Sequence, residues 1–442
     1  MGYYVEKINT MKLRPFEIVL IAAFVGLGLF ALVFLSAFQN SQKDTGPTIG
    51  VVTIWGTLDA RPIEALLDEL ATADDAYVDV SYRQVDENQF TSELTNALAD
   101  GRGPDVILVS HEKLIELRRR ISPISYESFP IRDVRSLYVD GAEIFALSDG
   151  LYAYPIAVDP LMLYWNRDLL TSNNFLEAPK TWESLVTNYV PSLTVRDFNR
   201  SLERSAVAMG EYENINNAFG IISALLIQSG SRLVEEADGT YEIYLNETRQ
   251  GGNPLVTTTD FYTRFSRPNN TLYSWNRSQA LDKEQFLSED LAMYFGFASE
   301  GLEIERLNPN LNFDIAEVPQ GASATIRRTY GKFYGLSLVR NTVNPSGAAA
   351  VMSVLASADN AKRIAVEAGL VPASRSAVSA GSNDTYGRLA YRSAPIAYGW
   401  LNPARSRVDS VLTTLMRDVT EGRFTEEQAT TDAIGRLELE YN

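Results

Sequence analysis

The chain of 442 residues contains no cysteine, so disulfides, thiolate nucleophiles and cysteine metal sites are all excluded. It has a single histidine, His111, which leaves no histidine cluster to hold a metal. A Ser-His-Asp triad would have to use that histidine, with Ser110 adjacent in sequence and unable to face it properly. Positive charge is scarce: the net charge is −17, which argues against a nucleic-acid surface, because neutralising phosphates needs clustered Lys and Arg. A phosphate loop, a dinucleotide motif and a calcium loop are all missing. No cofactor, no metal and no nucleic-acid partner are therefore expected. Internal repeats and low-complexity tracts are absent as well.

Charge is also absent from Ile18 to Phe38, a run of 21 residues. At ~1.5 Å per helical residue this run covers about 30 Å, the hydrocarbon thickness of a bilayer. Lys7, Lys12 and Arg14 precede it and only Lys43 follows closely, so Met1 is expected in the cytoplasm and everything after Gln39 outside. A cleaved signal peptide is the alternative reading. The apolar run exceeds the usual core of such peptides, and Leu35 sits where a small residue would be needed to cut after Ala37. The expectation is a cytoplasmic stub (1–15), a transmembrane signal anchor (16–38) and a polar linker (39–47), giving a single-pass protein with its main body outside the cell membrane.

The remaining chain has the composition of a folded protein, with 45% hydrophobic and 21% charged residues. It is too long for one ordinary core. Ile49 to Trp55 reads as a strand buried on both faces, and Ile63, Leu66, Leu67 and Leu70 as one helical stripe. Tyr77 to Tyr82 alternates as a strand, and Phe90, Leu94, Ala97 and Leu98 give a second helix, stopped at Gly101 and Gly103-Pro104. Val106 to Val109 is a third strand, with Ser110 placed to cap a helix from His111. Three β-α units in a row predict a parallel, doubly wound arrangement. Further on, a short strand from Ala153 to Val158 is followed by a buried strand from Leu161 to Trp165, then by a helix announced by Pro179 and Thr181. Residues 246 to 277 read as irregular strand and loop. Thr425 to Gln428 form a capping box for the last helix.

In open α/β sheets ligands sit beyond the carboxyl ends of the strands. Those ends carry Trp55, Thr57 and Asp59 after the first strand, Ser110, His111 and Glu112 after the third, and Asp159 after Val158. An indole, hydroxyls and carboxylates around one crevice suit a polyhydroxylated ligand, the ring covering C–H faces and the carboxylates accepting from hydroxyls. Glu112 and Asp159 could also be read as paired glycosidase acids, but nothing in the sequence argues that either has a raised pKa.

Several blocks, in order, resemble the family 1 extracellular solute-binding proteins of ABC importers, the maltose-binding-protein-like group. They are TIWGTLD, GRGPDVILVSHEKL, the segment from Tyr154 through YWNRDLL and PKTWESL, EDLAMYFGFASEG, FDIAEVPQ with YGKFYGLSLVRNT, GLVPASRSAV, and APIAYGWLNP. The resemblance implies an α/β, two-lobed periplasmic-binding-protein-like clamp (type II) with discontinuous lobes, preceded here by one transmembrane helix. Lobe 1 would be 48–157 and 331–385, and lobe 2 160–326 and 388–442. Without cysteine there is no lipid-modified tether of the kind many members carry, and the anchor helix would replace it. By the same resemblance Glu112 and Asp159 fall at sugar-binding acids, Trp400 at an aromatic platform, and Phe219 near an aromatic contact of the second lobe. Two places depart from the pattern: Phe297-Ala298-Ser299 stands where a Trp is common, and Gly331 to Gly335, with Tyr334, where Gly-Gly is usual. Phe297, Ser299 and Tyr334 complete the candidate ligand contacts. The implied function is capture of a small solute, most simply a carbohydrate, for an ABC permease, with no enzymatic step. A ligand-sensing ectodomain without an importer, or the same clamp holding a non-sugar solute, are the alternatives.

Overall fold

The expected β-α units open the computed structural model, which describes residues 49–199, 201–247 and 252–441. Strand β1 (Val52–Gly56) pairs in parallel with β2 (Val80–Gln84) on one side and β3 (Val106–Ser110) on the other. Helix α1 (Ala60–Ala73) buries Ile63, Leu66 and Leu67, and α2 (Phe90–Ala99) buries Phe90 and Leu94. β2 begins later than the alternation predicts. The Asp74 carboxylate accepts from the Ala76 amide and holds Asp75–Tyr77 as a 3-10 turn.

Two strands carry the chain between two hydrophobic cores. The segment read as two strands is one, β4 (Tyr154–Asn166), buried along nearly its whole length. Its first half pairs antiparallel with β8 (Thr329–Val339). Its second half pairs antiparallel with β6 (Leu291–Phe297) and with β7 (Phe313–Glu317), and β6 runs parallel to β5 (Leu202–Val207). Pro155 and Pro160 lack an N–H, and they sit where β4 meets a bulge opposite Tyr334 and Gly335 and where it changes partners, positions at which a ladder tolerates proline. The resulting sheet of 12 strands runs β2-β1-β3-β8-β4-β6-β5 along its main path, continued by the two-residue strand Val195–Arg196.

The first core gathers Phe90, Ile107, Phe145, Val158 and Phe333, and later chain (Val371, Tyr391, Ala397) returns to it. The second gathers Leu161, Tyr164, Phe219, Phe295, Tyr330 and Trp400. It includes α3 (Ala218–Gln228), α4 (Pro254–Thr263), α8 (Arg405–Thr420) and α9 (Glu426–Tyr441), while α5 (Pro345–Leu355) and α6 (Ala358–Glu367) pack towards β8 and β4 respectively. Between α6 and α8, helix α7 (Thr385–Ser393) touches both cores, through Ala390 and Tyr391 on one side and Tyr386 and Leu389 on the other.

Helix α4 lies in a stretch that reads as irregular. Its three consecutive threonines weaken the helical signal, but the Asn253 side chain accepts from the Leu255 and Val256 amides and Pro254 opens the first turn. The capping box of α9 is present: the Gln428 amide donates to Thr425 Oγ1 (3.3 Å) and the Thr425 amide to Gln428 Oε1 (3.1 Å). Among the described residues no helix is long and apolar enough to cross a membrane. The anchor run 16–38, with the stub before it and the linker to 47, lies outside the described residues.

Candidate functional site

The chain after β3 does not continue as one regular helix. Residues His111–Lys113 form a 3-10 turn, Leu114–Leu117 a single helical turn and Arg118–Arg120 another 3-10 turn. Ser110 makes no cap bond, and its buried Oγ has no hydrogen-bond partner among the described residues. The two residues after it are turned inward instead. His111 is fully buried, and its Nδ1 accepts from the Phe333 amide (3.0 Å). Burial lowers its pKa to about 4, the pull of Glu112 notwithstanding, so the ring is neutral at pH 7. It acts as a spacer against the backbone: a Cβ on Gly399 would sit 2.6 Å from His111 Nε2.

Glu112, with a side chain 4% exposed, is where the two halves of the molecule meet. Its carboxylate takes the Arg405 guanidinium (2.9 Å) from the first turn of α8, and the Tyr330 hydroxyl donates to the same oxygen. Arg405 also pairs with Asp409 (2.8 Å), which accepts from Tyr212. Burial acts to raise the Glu112 pKa, but Arg405, Lys332 and the Tyr330 bond outweigh it and hold the carboxyl at about 2. Around this pair lies a polar recess of about 320 Å³. Glu87, Thr91 and Glu116 line one wall, Arg405 and Asp409 the other, and Lys332 of β8 reaches it from the crossing strands.

Asp159 and Lys332 are register partners where β4 and β8 cross. Asp159 accepts from the Ser299 amide (3.0 Å) and hydroxyl (2.6 Å). Burial pushes its carboxyl up to about 7 against the pull of the two Ser299 donors and of Lys332. The Lys332 ammonium stands 4.6 Å from the centre of the Phe297 ring, a cation–π contact. Its pKa is raised: burial alone would lower it, but Glu112, Glu87 and Asp159 prevail. A pH test follows from Asp159. Unfolded, the carboxyl ionises near 4, so a folded pKa near 7 means that stability falls as pH rises from about 4 to about 7. In Asp159→Asn that fall should be reduced, so thermal melts of variant and wild type converge at pH 4 and separate in the variant's favour above pH 7. Parallel profiles would mean that Asp159 ionises in the folded chain as it does in the unfolded one.

The candidate contacts divide into groups, two of them completed by residues outside that set. Glu112, Tyr330 and Arg405 meet directly; Asp159, Ser299, Lys332 and Phe297 form a second constellation. Phe219 and Trp400 stack on each other, with ring centres 5.1 Å apart at 20°, and the Arg405 guanidinium lies 4.0 Å over Phe219. Trp400 is fully enclosed (0% exposed), and its Nε1–H donates to the Tyr441 hydroxyl (3.0 Å), so a ligand reaches the indole only if these rings part. Tyr334 is buried beside Ser110, its register partner on β3. Trp55 packs in the first core with the Arg83 guanidinium 4.4 Å over its ring. Thr57 Oγ1 is buried without a partner among the described residues. Asp59 caps α1 and pairs locally with Arg61 (2.6 Å). Lys332, Tyr330 and Arg405 were not among the candidates. Lys332 carried a readable signal, a lone cation inside an apolar strand; Arg405 carried none, being one arginine among many.

A second set of bonds joins the halves away from the recess. The hairpin of Val234–Ala237 and Thr240–Ile243, packed on the second core, sends Glu236 (side chain 1% exposed) to the Ser148 amide and hydroxyl, both at 2.8 Å. Arg118 donates to Glu236 (3.2 Å) and to the hydroxyls of Tyr241 (3.1 Å) and Tyr152 (3.2 Å).

The sequence pattern of the bacterial extracellular solute-binding protein family matches residues 60–362. Maltodextrin-binding protein MdxE of Bacillus subtilis (strain 168) is 26% identical over 172 residues, 38% of this chain and 37% of that protein, so the match spans little more than a third of that relative's length. A cyclo/maltodextrin-binding protein solved with maltotetraose superimposes with a TM-score of 0.71 at 18% identity, covering 89% of this chain and 98% of the other. The sugar-binding protein MalE from the phytopathogen Xanthomonas citri does so with a TM-score of 0.69 at 16% identity, over 88% and 97% of the two chains. At such identities the structural likeness speaks for the fold: mixed α/β, as in periplasmic binding proteins. With the family pattern matched over most of its length on that fold, this chain belongs to the bacterial extracellular solute-binding proteins, a family of binders rather than enzymes.

Proposed function

We propose that this protein is the extracytoplasmic substrate-binding component of an ABC importer and that it captures a carbohydrate, of maltooligosaccharide type, in the recess between its two halves. The observation that carries this reading is the composition of that recess: acceptors and donors face one another from opposite halves, Glu112 and Glu116 on one side, Arg405 and Asp409 on the other. Sugar hydroxyls both donate and accept, so carboxylates and cations in one cleft can each bind them with charge-assisted bonds. The relatives that bind maltodextrins and maltotetraose point the same way. The working parts are lobe 1 (48–157 and 331–385) and lobe 2 (160–326 and 388–442), hinged at the crossing strands. Solute touching both stabilises the closed arrangement, which the permease then recognises. Contacts are assigned to Glu112, Asp159, Ser299, Phe297 and Tyr334, with Lys332 and Arg405, and to Phe219 and Trp400 once their stack opens. Trp55, Thr57, Asp59 and Ser110 stay in the proposed set as the strand-end wall. The run 16–38 would tether the protein to the membrane.

Isothermal titration of the purified full chain with maltotriose and maltotetraose tests the reading, with a polyamine and a glycerophosphodiester as controls. One-site saturable binding of a sugar, weakened at least about tenfold in Glu112→Ala, is the expected result. A folded chain that binds a control and no sugar would overturn the carbohydrate assignment.

A further inference from the structure

The run Arg118-Arg119-Arg120 is conspicuous in a chain of net charge −17. Its 3-10 turn places it beside the end of β8, where the Arg340 amide donates to the Arg120 carbonyl (2.8 Å). With Arg407 from the first turn of α8, these arginines line a second recess of about 1000 Å³. Thr91, Glu116 and Ala404 line both this recess and the polar one around Glu112, so the two abut.

The five guanidinium groups differ in what already holds them. Arg118 is occupied by Glu236, Asp149 and two tyrosines, and Arg407 pairs with Glu440 (2.9 Å). Among the described residues, Arg120 and Arg340 donate only to backbone carbonyls, of Glu116 (3.1 Å) and Ile121 (3.2 Å). Arg119 has no side-chain partner among the described residues. Three cations thus face one recess in which, among the described residues, Glu116 is the only lining carboxylate outside an ion pair. A guanidinium is a planar fork matched to carboxylate, sulfate or phosphate oxygens and is never discharged.

We propose that this recess is a subsite for an anionic group carried by the solute, so that the protein selects acidic oligosaccharides over neutral ones. The uncharged part of the sugar lies towards Glu112 and Arg405, and the carboxylate, sulfate or phosphate towards Arg119, Arg120 and Arg340. The proposal rests on the interlobe recess being the sugar site.

The test compares maltotetraose, tetragalacturonate and a sulfated maltotetraose by titration of the full chain at low and high salt. An anionic oligosaccharide should bind at least about tenfold tighter than maltotetraose at low salt and lose that advantage at high salt. Which of the two anionic sugars wins tells carboxylate from sulfate. Arg119→Ala with Arg340→Ala should lower anionic affinity about tenfold or more and leave maltotetraose unchanged; the milder Arg119→Gln, at an exposed side chain with no partner to lose, should move it the same way by less. Binding of maltotetraose as tight as that of both anionic sugars overturns the subsite and leaves the sugar site standing, and so does an anionic preference that survives both arginine variants. A folded chain that binds none of the three overturns both.

Discussion

Arg405→Met is expected to destabilise the protein by about 3–5 kcal/mol at neutral pH, because it strands the Glu112 carboxylate in the interior. The pair is enclosed enough for this magnitude to apply, with Glu112 4% and Arg405 30% exposed. Among the described residues, the Tyr330 bond and the more distant Lys332 would remain for the carboxylate. The effect must depend on pH. In the wild type the carboxyl is held at about 2, below its unfolded value near 4.3. Its contribution is therefore present above about pH 4.3 and is lost as pH falls towards 2. Without Arg405, burial pushes the same carboxyl upward, so it takes a proton as pH falls and the variant's deficit narrows. Urea unfolding at pH 7 and pH 4 should show a large gap at the first and a smaller one at the second. Arg405→Met with Glu112→Gln should recover much of the loss, since removing both charges removes the stranded one. A double variant no more stable than the single would mean that Arg405 acts by packing over Phe219 instead.

Trp400→Ala should cost about 3–5 kcal/mol, the range for removing a large aromatic ring from a packed interior. The indole is enclosed by its stack on Phe219 and its bond to the Tyr441 hydroxyl, which in turn donates to the Leu401 carbonyl (2.6 Å) and ties the end of α9 to this loop. Trp400→Phe keeps most of the ring contact and loses the N–H bond, so a loss of about 1 kcal/mol is expected there. The measurement also bears on function. A loss under about 1 kcal/mol for Trp400→Ala would place the indole in solvent in the populated state, as a platform waiting for a sugar. A loss near the upper figure would mean that the ring is structural until the lobes part. Titration of the Phe variant with maltotetraose then separates the two roles.

Much of the architecture was legible because local pattern and burial agree along the described residues up to position 110. Ile63, Leu66 and Leu67 recur at helical spacing and do face the core; Val106 to Val109 are apolar without alternation and are buried on both faces. The continuity of β4 was not legible. Two prolines interrupt its sequence, and only the register shows that they fall at a bulge and at a change of partner, where their missing N–H groups do no harm. Helix α4 was hidden by its threonines, whose intrinsic preference is overridden by the cap at Asn253 and by packing on the second core. Ser110 had the sequence of a cap, yet the chain beyond it turns His111 and Glu112 inward, and no local rule announces that.

The same division holds for the site. From sequence alone come the kind of chemistry and its address: no thiol, no histidine cluster, acids and aromatics at strand ends, and blocks similar to solute-binding proteins. These depend on residue identity and on short-range periodicity, which a linear chain displays directly. Which groups meet was decided by the tertiary fold alone. Glu112 and Arg405 lie 293 positions apart, Tyr330 and Glu112 218, Arg118 and Glu236 118. Each pair forms because β4 and β8 carry the chain across twice and bring α8 and the hairpin back against the turns after β3, and a side chain's partner across such a distance is a property of the crossing, not of its neighbours in sequence.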